Sequence, residues 1–237
     1  MSRAAEIARH RVRDAGYLHL PRLASWLRKR WVVLRNPHAA IEFGRHVYLG
    51  PRFSLHLPHG GTVIVGDGVE FRRNFRAELG DGGRLVIGAG TRFAYDVVIQ
   101  CGTTIEIGER CIFAHAVTIV DGSHRFRDPA TPVLEQGYEF RPVRIADDAA
   151  VMAKATVIAD VGRHAFVGAN AVVSRPVPDF SLAVGIPARP IDYFGPPGEG
   201  ASGPEGSSSA TSGATGPSDG GADSASSQAS RKSGASS

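Results

Sequence analysis

The sequence predicts an all-β solenoid, a fold in which short parallel strands stack in successive coils. Three observations between residues 43 and 191 support it: an apolar residue recurs every six positions, a small residue follows the first apolar residue of each group of three, and small or β-branched residues recur four positions after many of them. An ordinary β-sandwich would instead give irregular spacing and alternation with a period of two. We therefore favour the solenoid.

The six-residue register divides into six triplets, each of which we interpret as one triangular coil. Its marks are Phe43, Leu49, Leu55; Val65, Phe71, Ala77; Ile87, Phe93, Ile99; Ile107, Phe113, Ile119; Ile145, Val151, Val157; and Val161, Val167, Val173. The residues that follow the first marks are Gly44, Gly66, Gly88, Gly108, Ala146 and Gly162. We attribute these glycines to corners, because a residue without Cβ can turn the backbone tightly.

Residues 1–36 precede the repeat and are strongly basic. They hold nine Lys and Arg residues against Glu6 and Asp14, so nine minus two gives a net charge of +7. Their mixture of arginine with leucine and tryptophan predicts one or two amphipathic helices, which Pro21 and Pro37 interrupt or end. We expect the apolar side to pack on its own domain, and contact with an anionic membrane or a partner is the alternative.

The tail and the cysteines limit the remaining function classes. Gly, Ala, Ser and Pro make up 33 of the 42 residues from 196 to 237, which predicts disorder. Cys101 and Cys111 lie in apolar segments and fit reduced core thiols. With no apolar run that predicts a transmembrane helix or a secretory signal, we expect a cytoplasmic protein, with membrane association through residues 1–36 left open.

Several segments of the repeat carry a family resemblance. They are "VGDGVE", "IGAGTR", "IGERCI", "VGRHAFVGANAVV" and the closing "VPDFSLAVGIPARPI". On these residues, the region from about 43 to 191 resembles the hexapeptide-repeat acyltransferases, which include maltose, galactoside and bacterial polysaccharide O-acetyltransferases. The resemblance implies a left-handed parallel β-helix of about six coils, a homotrimer with active sites between subunits, acetyl-CoA as the donor and no metal. Handedness rests on the resemblance alone, because the usual crossover rule favours right-handed connections.

The register stops after "VTIVDGSH" and resumes near Ile145, which leaves residues 125–144 as an inserted loop. Long loops on compact scaffolds often carry function. By the resemblance, His124 at the base of the loop is the catalytic base, and an imidazole can take the proton of an attacking hydroxyl. Asp121 either orients that ring or holds the acceptor, or it caps the turn with Gly122 and Ser123. His115 on the neighbouring hexad is a weaker candidate.

The donor residues follow from the resemblance alone. It implies that Ala153 and Ala169 offer backbone groups to the pantetheine arm of the coenzyme. It also implies that Ser174, Arg175 and Arg189 meet the nucleotide end, where cationic side chains suit phosphates.

Two departures from the family pattern affect these expectations. Ala150 and Met152 stand where members commonly have Trp and Gly, and the turn after Val157 is short, which leaves open whether the fifth coil binds coenzyme A normally. Residues 100–102 are Gln, Cys and Gly where the sugar acetyltransferases tend to carry acidic residues, so the acceptor can differ from theirs.

The sequence therefore predicts an acyl-CoA-dependent O-acyltransferase that acetylates a hydroxyl of a sugar, glycan precursor or glycolipid. Two alternatives remain. A β-helix that has lost transfer would act as a scaffold or binding module. A zinc carbonic anhydrase would need convergent histidines, and His115, His124 and His164 are not closely paired in sequence. We expect no nucleic-acid partner, because the basic segment contains no recognisable recognition module.

Overall fold

The computed structural model describes residues 19–196. The predicted helical content of residues 1–18 and the predicted disorder of residues 197–237 lie outside the described residues. The two cysteines are free and buried, as predicted.

Among residues 19–196, one helix precedes a long series of short strands. Helix α1 spans His19–Arg35. The strands are β1 (Ala39–Phe43), β2 (Tyr48–Leu49), β3 (Ser54–His56), β4 (Gly61–Val65), β5 (Glu70–Phe71), β6 (Arg76–Leu79), β7 (Arg84–Ile87), β8 (Arg92–Phe93), β9 (Val98–Cys101), β10 (Thr104–Ile107), β11 (Ile112–Phe113), β12 (Thr118–Val120), β13 (Gly122–His124), β14 (Tyr138–Phe140), β15 (Val143–Ile145), β16 (Ala150–Val151), β17 (Thr156–Val157), β18 (Phe166–Val167), β19 (Val172–Val173), β20 (Ser181–Val184) and β21 (Arg189–Tyr193).

The strands form three parallel sheets, which are the three walls of the predicted left-handed β-helix. Sheet A has the order β1-β4-β7-β10-β15, sheet B β2-β5-β8-β11-β16-β18-β20-β21 and sheet C β3-β6-β9-β12-β17-β19. Each coil contributes one strand to each sheet, except that Val161 and Val177 continue sheet A as isolated bridges. The antiparallel strand β21 closes sheet B. The fold class predicted from the repeat is confirmed.

The core lies along the axis of the helix and follows the six-residue register. Seventeen of the eighteen marked residues are buried, and Phe43 is partly buried against the same cluster. The second marks of successive coils stack, with ring centroids 5.0 Å apart for Phe71 and Phe93 and 4.8 Å for Phe93 and Phe113. Each coil therefore covers the apolar ring or methyl group of the coil before it.

The glycines after the first marks have a different cause from the one that the sequence suggested. A Cβ on Gly44 or Gly88 would lie within 2.7 Å of backbone atoms in the next coil, so these positions are small because successive corners approach closely. The left-handed corner residues are often not glycine, as at Asn74 (φ 66°), Asp96 (φ 63°) and Arg110 (φ 55°). The expectation that glycine serves backbone turning at the marked corners was wrong.

The inserted loop is also shifted relative to the sequence boundaries. It begins earlier than predicted, because β13 pairs with β14 in an antiparallel hairpin that leaves the helix at Gly122. It ends earlier too, since Val143 and Arg144 belong to β15 and pair with β10. The insertion is therefore residues 122–142.

Helix α1 packs on the first coil through one narrow face. Ser25 and Val32 are buried. The Ser25 hydroxyl accepts the Leu49 N–H at 2.9 Å, and Arg28 donates to the Leu49 carbonyl at 2.7 Å. Its large apolar side chains are otherwise exposed: Leu23, Trp26, Leu27, Trp31, Val33 and Leu34.

The expectation that this apolar side packs on its own domain was therefore wrong for the described helix. Pro21 does not interrupt α1 but lies in its first turn, where proline is tolerated. Pro37 lies two residues after Arg35, the last helical residue, in agreement with the prediction that it ends the helix. In the part of the chain that the structure describes, no helix has the length and apolarity needed to cross a bilayer.

Candidate active site

His124 lies on a hairpin at the edge of sheet C. The chain leaves β12, passes the buried Asp121 and enters β13, whose His124 is paired with Tyr138 of β14. The two rings pack at a centroid distance of 4.3 Å, and Tyr138 in turn stacks with Phe140 at 5.7 Å. The strand end predicted to present His124 is therefore extended by a two-stranded support that holds the imidazole against an aromatic ring.

Two glycines make room for this support. A Cβ on either Gly102 or Gly122 would overlap the ring of Phe140, so the ring sits directly on backbone at both positions. Phe140 thereby joins the hairpin to the third coil. Gly102, which departs from the acidic family pattern, is explained by this contact.

A cleft of about 490 Å³ opens beside the hairpin. On one side are His124, Tyr138 and Phe140. The other side is the outer face of sheet C, where four side chains from consecutive coils align in register: His56, Glu78, Gln100 and Val120. The first three are exposed, so the cleft offers a carboxylate, an amide and an imidazole next to aromatic rings.

Sequence reasoning did not select His56 and Glu78 as site residues. A signal was available, because the residue after the third mark of each coil points outward on sheet C. That position gives His56, Glu78, Gln100 and Val120 in the first four coils, and Ile158 and Ser174 in the last two.

The Asp121 carboxylate binds the turn of the preceding coil. It accepts the N–H of Gly102 at 2.6 Å, the N–H of Thr103 at 2.8 Å and the Thr103 hydroxyl at 3.2 Å. Among the described residues, none of its hydrogen bonds reaches His124 or caps the Gly122–Ser123 turn. Asp121 lines the same cleft as His124, but its contacts hold coil three to coil four, and the catalytic role remains a prediction.

The rest of the insertion is braced by its own polar contacts. The Gln136 amide donates to the carbonyls of Asp128 at 2.9 Å and Thr131 at 2.7 Å. The Thr131 hydroxyl and the Ala130 N–H donate to the Asp128 carboxylate and lower its pKa. A short 3₁₀ helix, Val133–Glu135, completes the tip. The hairpin that carries His124 therefore ends in a structured tip.

Cys101 lies at the floor of the cleft but is poorly suited to nucleophilic attack. Burial, and then the nearby Asp121 carboxylate, raise the pKa of its thiol to about 12. A thiol in that state is protonated at neutral pH, whereas the thiolate is the nucleophile. The geometry therefore agrees with direct transfer rather than a covalent enzyme intermediate.

Ala153 and Ala169 occupy equivalent turns of the fifth and sixth coils, between sheets B and C. The Asn170 N–H donates to the Ala153 carbonyl at 2.9 Å, which fixes the two turns one above the other. Within residues 19–196, neither the Ala153 nor the Ala169 N–H donates to a backbone carbonyl. The backbone of the described residues thus leaves these N–H groups unused, and their role toward the donor stays a prediction.

Ser174, Arg175 and Arg189 are all exposed near the end of the helix. Ser174 follows β19 on the outer face of sheet C. Arg189 begins β21, next to Ala188, whose N–H donates to the Val172 carbonyl of β19 at 2.8 Å. The Arg189 guanidinium reaches only the neighbouring Ala188 carbonyl, at 3.0 Å, among described residues. The predicted donor residues therefore lie on the last two coils and the closing strand. The turns of Ala153 and Ala169 precede strands of sheet C, whereas Ser174 and Arg175 follow β19, at the same edge of the sheet as His124.

The unusual fifth coil keeps its register. Val151 and Val157 are fully buried despite the neighbouring Ala150 and Met152. After the short turn, the Asp160 carboxylate accepts the Arg144 N–H at 2.8 Å, and Val161 pairs with Ile145 in sheet A. The shortened turn changes the shape of that corner without displacing the strands on either side.

The other histidines named by the sequence are separate from the cleft. The exposed His115 packs against Tyr95 at a centroid distance of 5.1 Å, and His164 packs near Phe180 at 5.8 Å. Across residues 19–196, the acidic, cysteine and histidine side chains form no group of three or more that could hold a metal ion.

Two curated relatives are similar to this chain in sequence, and no family model matches it. The probable acetyltransferase Rv3034c of Mycobacterium tuberculosis is 34% identical over 155 residues, which are 65% of this chain and 44% of that protein. The serine acetyltransferase of Haemophilus influenzae is 32% identical over 106 residues, which are 40% of this chain and 39% of that protein. The chain thus spans less than half the length of either relative.

Solved structures are also similar to this chain. A variant of AntD, an N-acyltransferase from Bacillus cereus in complex with dTDP and coenzyme A, matches with a TM-score of 0.51 and 20% identity, over 64% of this chain and 83% of that one. The hexapeptide-repeat acetyltransferase VCA0836 of Vibrio cholerae, complexed with acetyl coenzyme A, matches with a TM-score of 0.48 and 21% identity, over 65% and 72%.

Proposed function

We propose, from the confirmed resemblance to the hexapeptide-repeat acyltransferases, that this protein is an acyl-CoA-dependent O-acyltransferase. It moves an acetyl group from acetyl-CoA to a hydroxyl of a sugar, glycan precursor or glycolipid, with His124 as general base. The observation that carries the proposal is the position of His124. Its imidazole is held against Tyr138 at one side of the 490 Å³ cleft and faces a row of side chains that can bind hydroxyl groups.

The proposed reaction is a direct transfer. The neutral His124 imidazole takes the proton of the acceptor hydroxyl while the oxygen attacks the thioester carbonyl. The tetrahedral intermediate then breaks its C–S bond, and the proton passes from the imidazolium to the departing thiolate to give free coenzyme A and the acetyl ester. A base in this role typically contributes about a hundredfold to ten-thousandfold to the rate.

The donor would lie along sheet C. The free N–H groups of Ala153 and Ala169 suit the amide oxygens of a pantetheine arm, and Arg175 and Arg189 suit its phosphates. Because the turns of Ala153 and Ala169 precede β17 and β19, whereas His124 follows β12, the thioester end would cross the outer face of sheet C near Val120 and Ile158. The acetyl group would then meet the acceptor beside His124.

The cleft favours a polyhydroxylated acceptor. Glu78 and Gln100 accept and donate hydrogen bonds on one side, and Tyr138 and Phe140 offer ring faces on the other. AntD, an N-acyltransferase, was crystallised with dTDP, so nucleotide-linked acceptors and amines belong among the acceptors to be tested. An amine would use the same base, because its nitrogen must also lose a proton on acylation.

The proposal includes a homotrimer with active sites between subunits. Within one chain, Ser174, Arg175 and Arg189 are exposed, and the cleft is open along sheet C. A neighbouring subunit would cover that face and supply the second wall of the donor site. Light scattering combined with size-exclusion chromatography tests the trimer directly, and a monomeric mass would overturn it.

Acetyl-CoA binding and thiol release test the function together. Calorimetry with acetyl-CoA distinguishes an enzyme from a scaffold, because a β-helix that has lost transfer would not bind the donor. A thiol-release screen against sugars, sugar nucleotides and glycolipids then identifies the acceptor. Absence of donor binding would overturn the proposed activity, and stoichiometric zinc in the purified protein would instead favour the anhydrase alternative.

A further inference from the structure

Helix α1 has one face that contacts the β-helix and an opposite face that is exposed. The face on the β-helix is narrow and is fixed by Ser25, Arg28 and Val32. The opposite face carries Leu23, Leu27 and Leu34, which lie on one side of the helix because they are spaced by whole turns. These three are 63%, 55% and 74% exposed. An apolar stripe that points away from the protein is unusual, since amphipathic helices normally bury that side.

Two tryptophans flank the stripe. Trp26 and Trp31 are 52% and 61% exposed. Tryptophan prefers the boundary between the acyl chains and the headgroups of a bilayer, because its ring is apolar and its N–H is polar. The stripe therefore combines aliphatic residues at its centre with aromatic residues at its sides.

The charged side chains of α1 are all cationic. The helix contains five cationic residues and no acidic residue; the cations are Arg22, Arg28, Lys29, Arg30 and Arg35. Arg30 packs over the Trp26 ring, with its guanidinium carbon 5.5 Å from the ring centroid. A long cationic side chain beside an apolar stripe can lay its stem along the acyl region and keep its charge at the phosphates.

A groove extends the stripe to the body of the protein. It has a volume of about 570 Å³ and is lined by Trp26, Val33, Leu34 and Phe43 with the cations Lys29 and Arg30. Phe43 of β1 is the one marked residue that is only partly buried. The first coil therefore adds to the same apolar surface.

We propose that α1 docks this protein onto an anionic lipid surface, lying in the plane of the interface with Leu23, Leu27 and Leu34 in the acyl region. Charge complementarity favours a lipid surface over a second copy of the protein as the partner of this face. A second copy of the helix would bring five further cations to the contact without an acidic partner, whereas anionic headgroups neutralise them. The inference does not depend on the proposed acyl transfer.

Vesicle co-sedimentation of the full chain tests the docking. We expect the protein to sediment with phosphatidylcholine vesicles that contain phosphatidylglycerol and to remain in the supernatant with pure phosphatidylcholine. The double substitution Leu27→Ser with Trp31→Ser should lower partitioning about tenfold or more, because it removes half-exposed apolar area from the stripe. Ile112→Ser is the matched control, since Ile112 is 51% exposed on sheet B, and it should bind like the wild type.

A charge reversal tests the electrostatic contribution to vesicle binding. Arg30→Glu should weaken partitioning about tenfold, and the same change at Arg163, an exposed arginine of the sixth coil, should leave it unchanged. Failure to bind anionic vesicles would overturn the proposal, as would equal loss in the variants and their controls. A change of oligomeric mass in the Leu27→Ser, Trp31→Ser variant without any vesicle binding would assign the face to a second copy instead. Acyl transfer to a soluble acceptor is unaffected by any of these outcomes.

Discussion

Two regions of sheet C, the hairpin after β12 and the last coil, differ in how their side chains are held. At the hairpin, His124 packs on Tyr138, Phe140 lies on Gly102 and Gly122, and Asp121 is bound by three donors. At the last coil, Ser174, Arg175 and Arg189 are exposed, and among the described residues only Arg189 makes a side-chain hydrogen bond, to the neighbouring Ala188 carbonyl.

This difference indicates which part of the proposed active site is ordered by contacts within a single chain. The proposed acceptor side is held by contacts within the chain, which suits general-base chemistry, because a base must stand within hydrogen-bond reach of the proton it removes. On the proposed donor side, the cations are exposed, so we expect them to gain order only from the coenzyme or from a neighbouring subunit. Substitutions on the acceptor side should therefore change kcat, and those on the donor side should change the affinity for acetyl-CoA.

The largest effect is expected at His124. His124→Ala should lower kcat by about a hundredfold to ten-thousandfold, because the acceptor hydroxyl loses its base, while the Kd for acetyl-CoA stays the same. Thiol-release kinetics and calorimetry measure the two quantities. His59→Ala, which removes an exposed histidine outside the cleft, is the control, and wild-type turnover in His124→Ala would place the base elsewhere.

The next effect is expected at Gly102. Gly102→Ala places a Cβ inside the Phe140 ring, so the hairpin must move, which should cost about 1–3 kcal/mol of stability and raise the KM for the acceptor. Thermal unfolding and acceptor kinetics measure both. In Gly102→Ala with Phe140→Ala the overlap is gone, and the added cost of Gly102→Ala should vanish. Strict additivity of the two changes would contradict the contact.

Asp121 should affect stability more than chemistry. Asp121→Asn replaces one acceptor oxygen by an NH₂ group facing the donors of Gly102 and Thr103, which should cost about 1–3 kcal/mol. Urea unfolding measures the loss, and kcat of the folded fraction should fall far less than in His124→Ala. A large fall in kcat with unchanged stability would show instead that Asp121 acts on the reacting groups.

A smaller effect is expected on the donor side. Arg189→Ala should weaken acetyl-CoA binding about twofold to fivefold with kcat unchanged, because exposed ion pairs contribute about 0.2–1 kcal/mol. Calorimetry at low and high salt measures it, and the difference between the proteins should shrink at high salt. Arg92→Ala, an exposed arginine of sheet B, is the control.

No effect is expected from thiol reagents. Because burial raises the pKa of Cys101 to about 12, the thiol stays protonated at neutral pH and should resist alkylation. Mass spectrometry after iodoacetamide treatment of the folded protein should find Cys101 unmodified and the activity retained. Rapid modification with loss of turnover would show that the floor of the cleft is open and reactive.

Much of the fold could be predicted from the sequence because the repeat is local. The position of a residue in the six-residue register is enough to predict that it is buried, so the register located the core. Among the marked residues, Phe43 alone is only partly buried. The insertion was found for the same reason, since a loop interrupts the register. Its exact limits were not, because β13 and β14 pair with each other across thirteen residues that carry no repeat.

The partners of individual site residues could not be predicted in the same way. Asp121 binds residues of the preceding coil, and Tyr138 meets His124 from the far side of the loop, so neither contact follows from neighbours in sequence. The outward stripe of α1 was missed because amphipathicity shows that a helix has two faces, and not which of them meets the protein. Its hydrogen bonds to Leu49 decide that.

The most direct test of the account is a crossed measurement on His124→Ala and Arg189→Ala, with kcat from thiol release and the Kd of acetyl-CoA from calorimetry. The account predicts that the first variant loses kcat and keeps its Kd, and that the second keeps kcat and loses affinity. A fall of both quantities together in both variants would contradict it, because the hairpin and the last coil would then not divide the reaction between them.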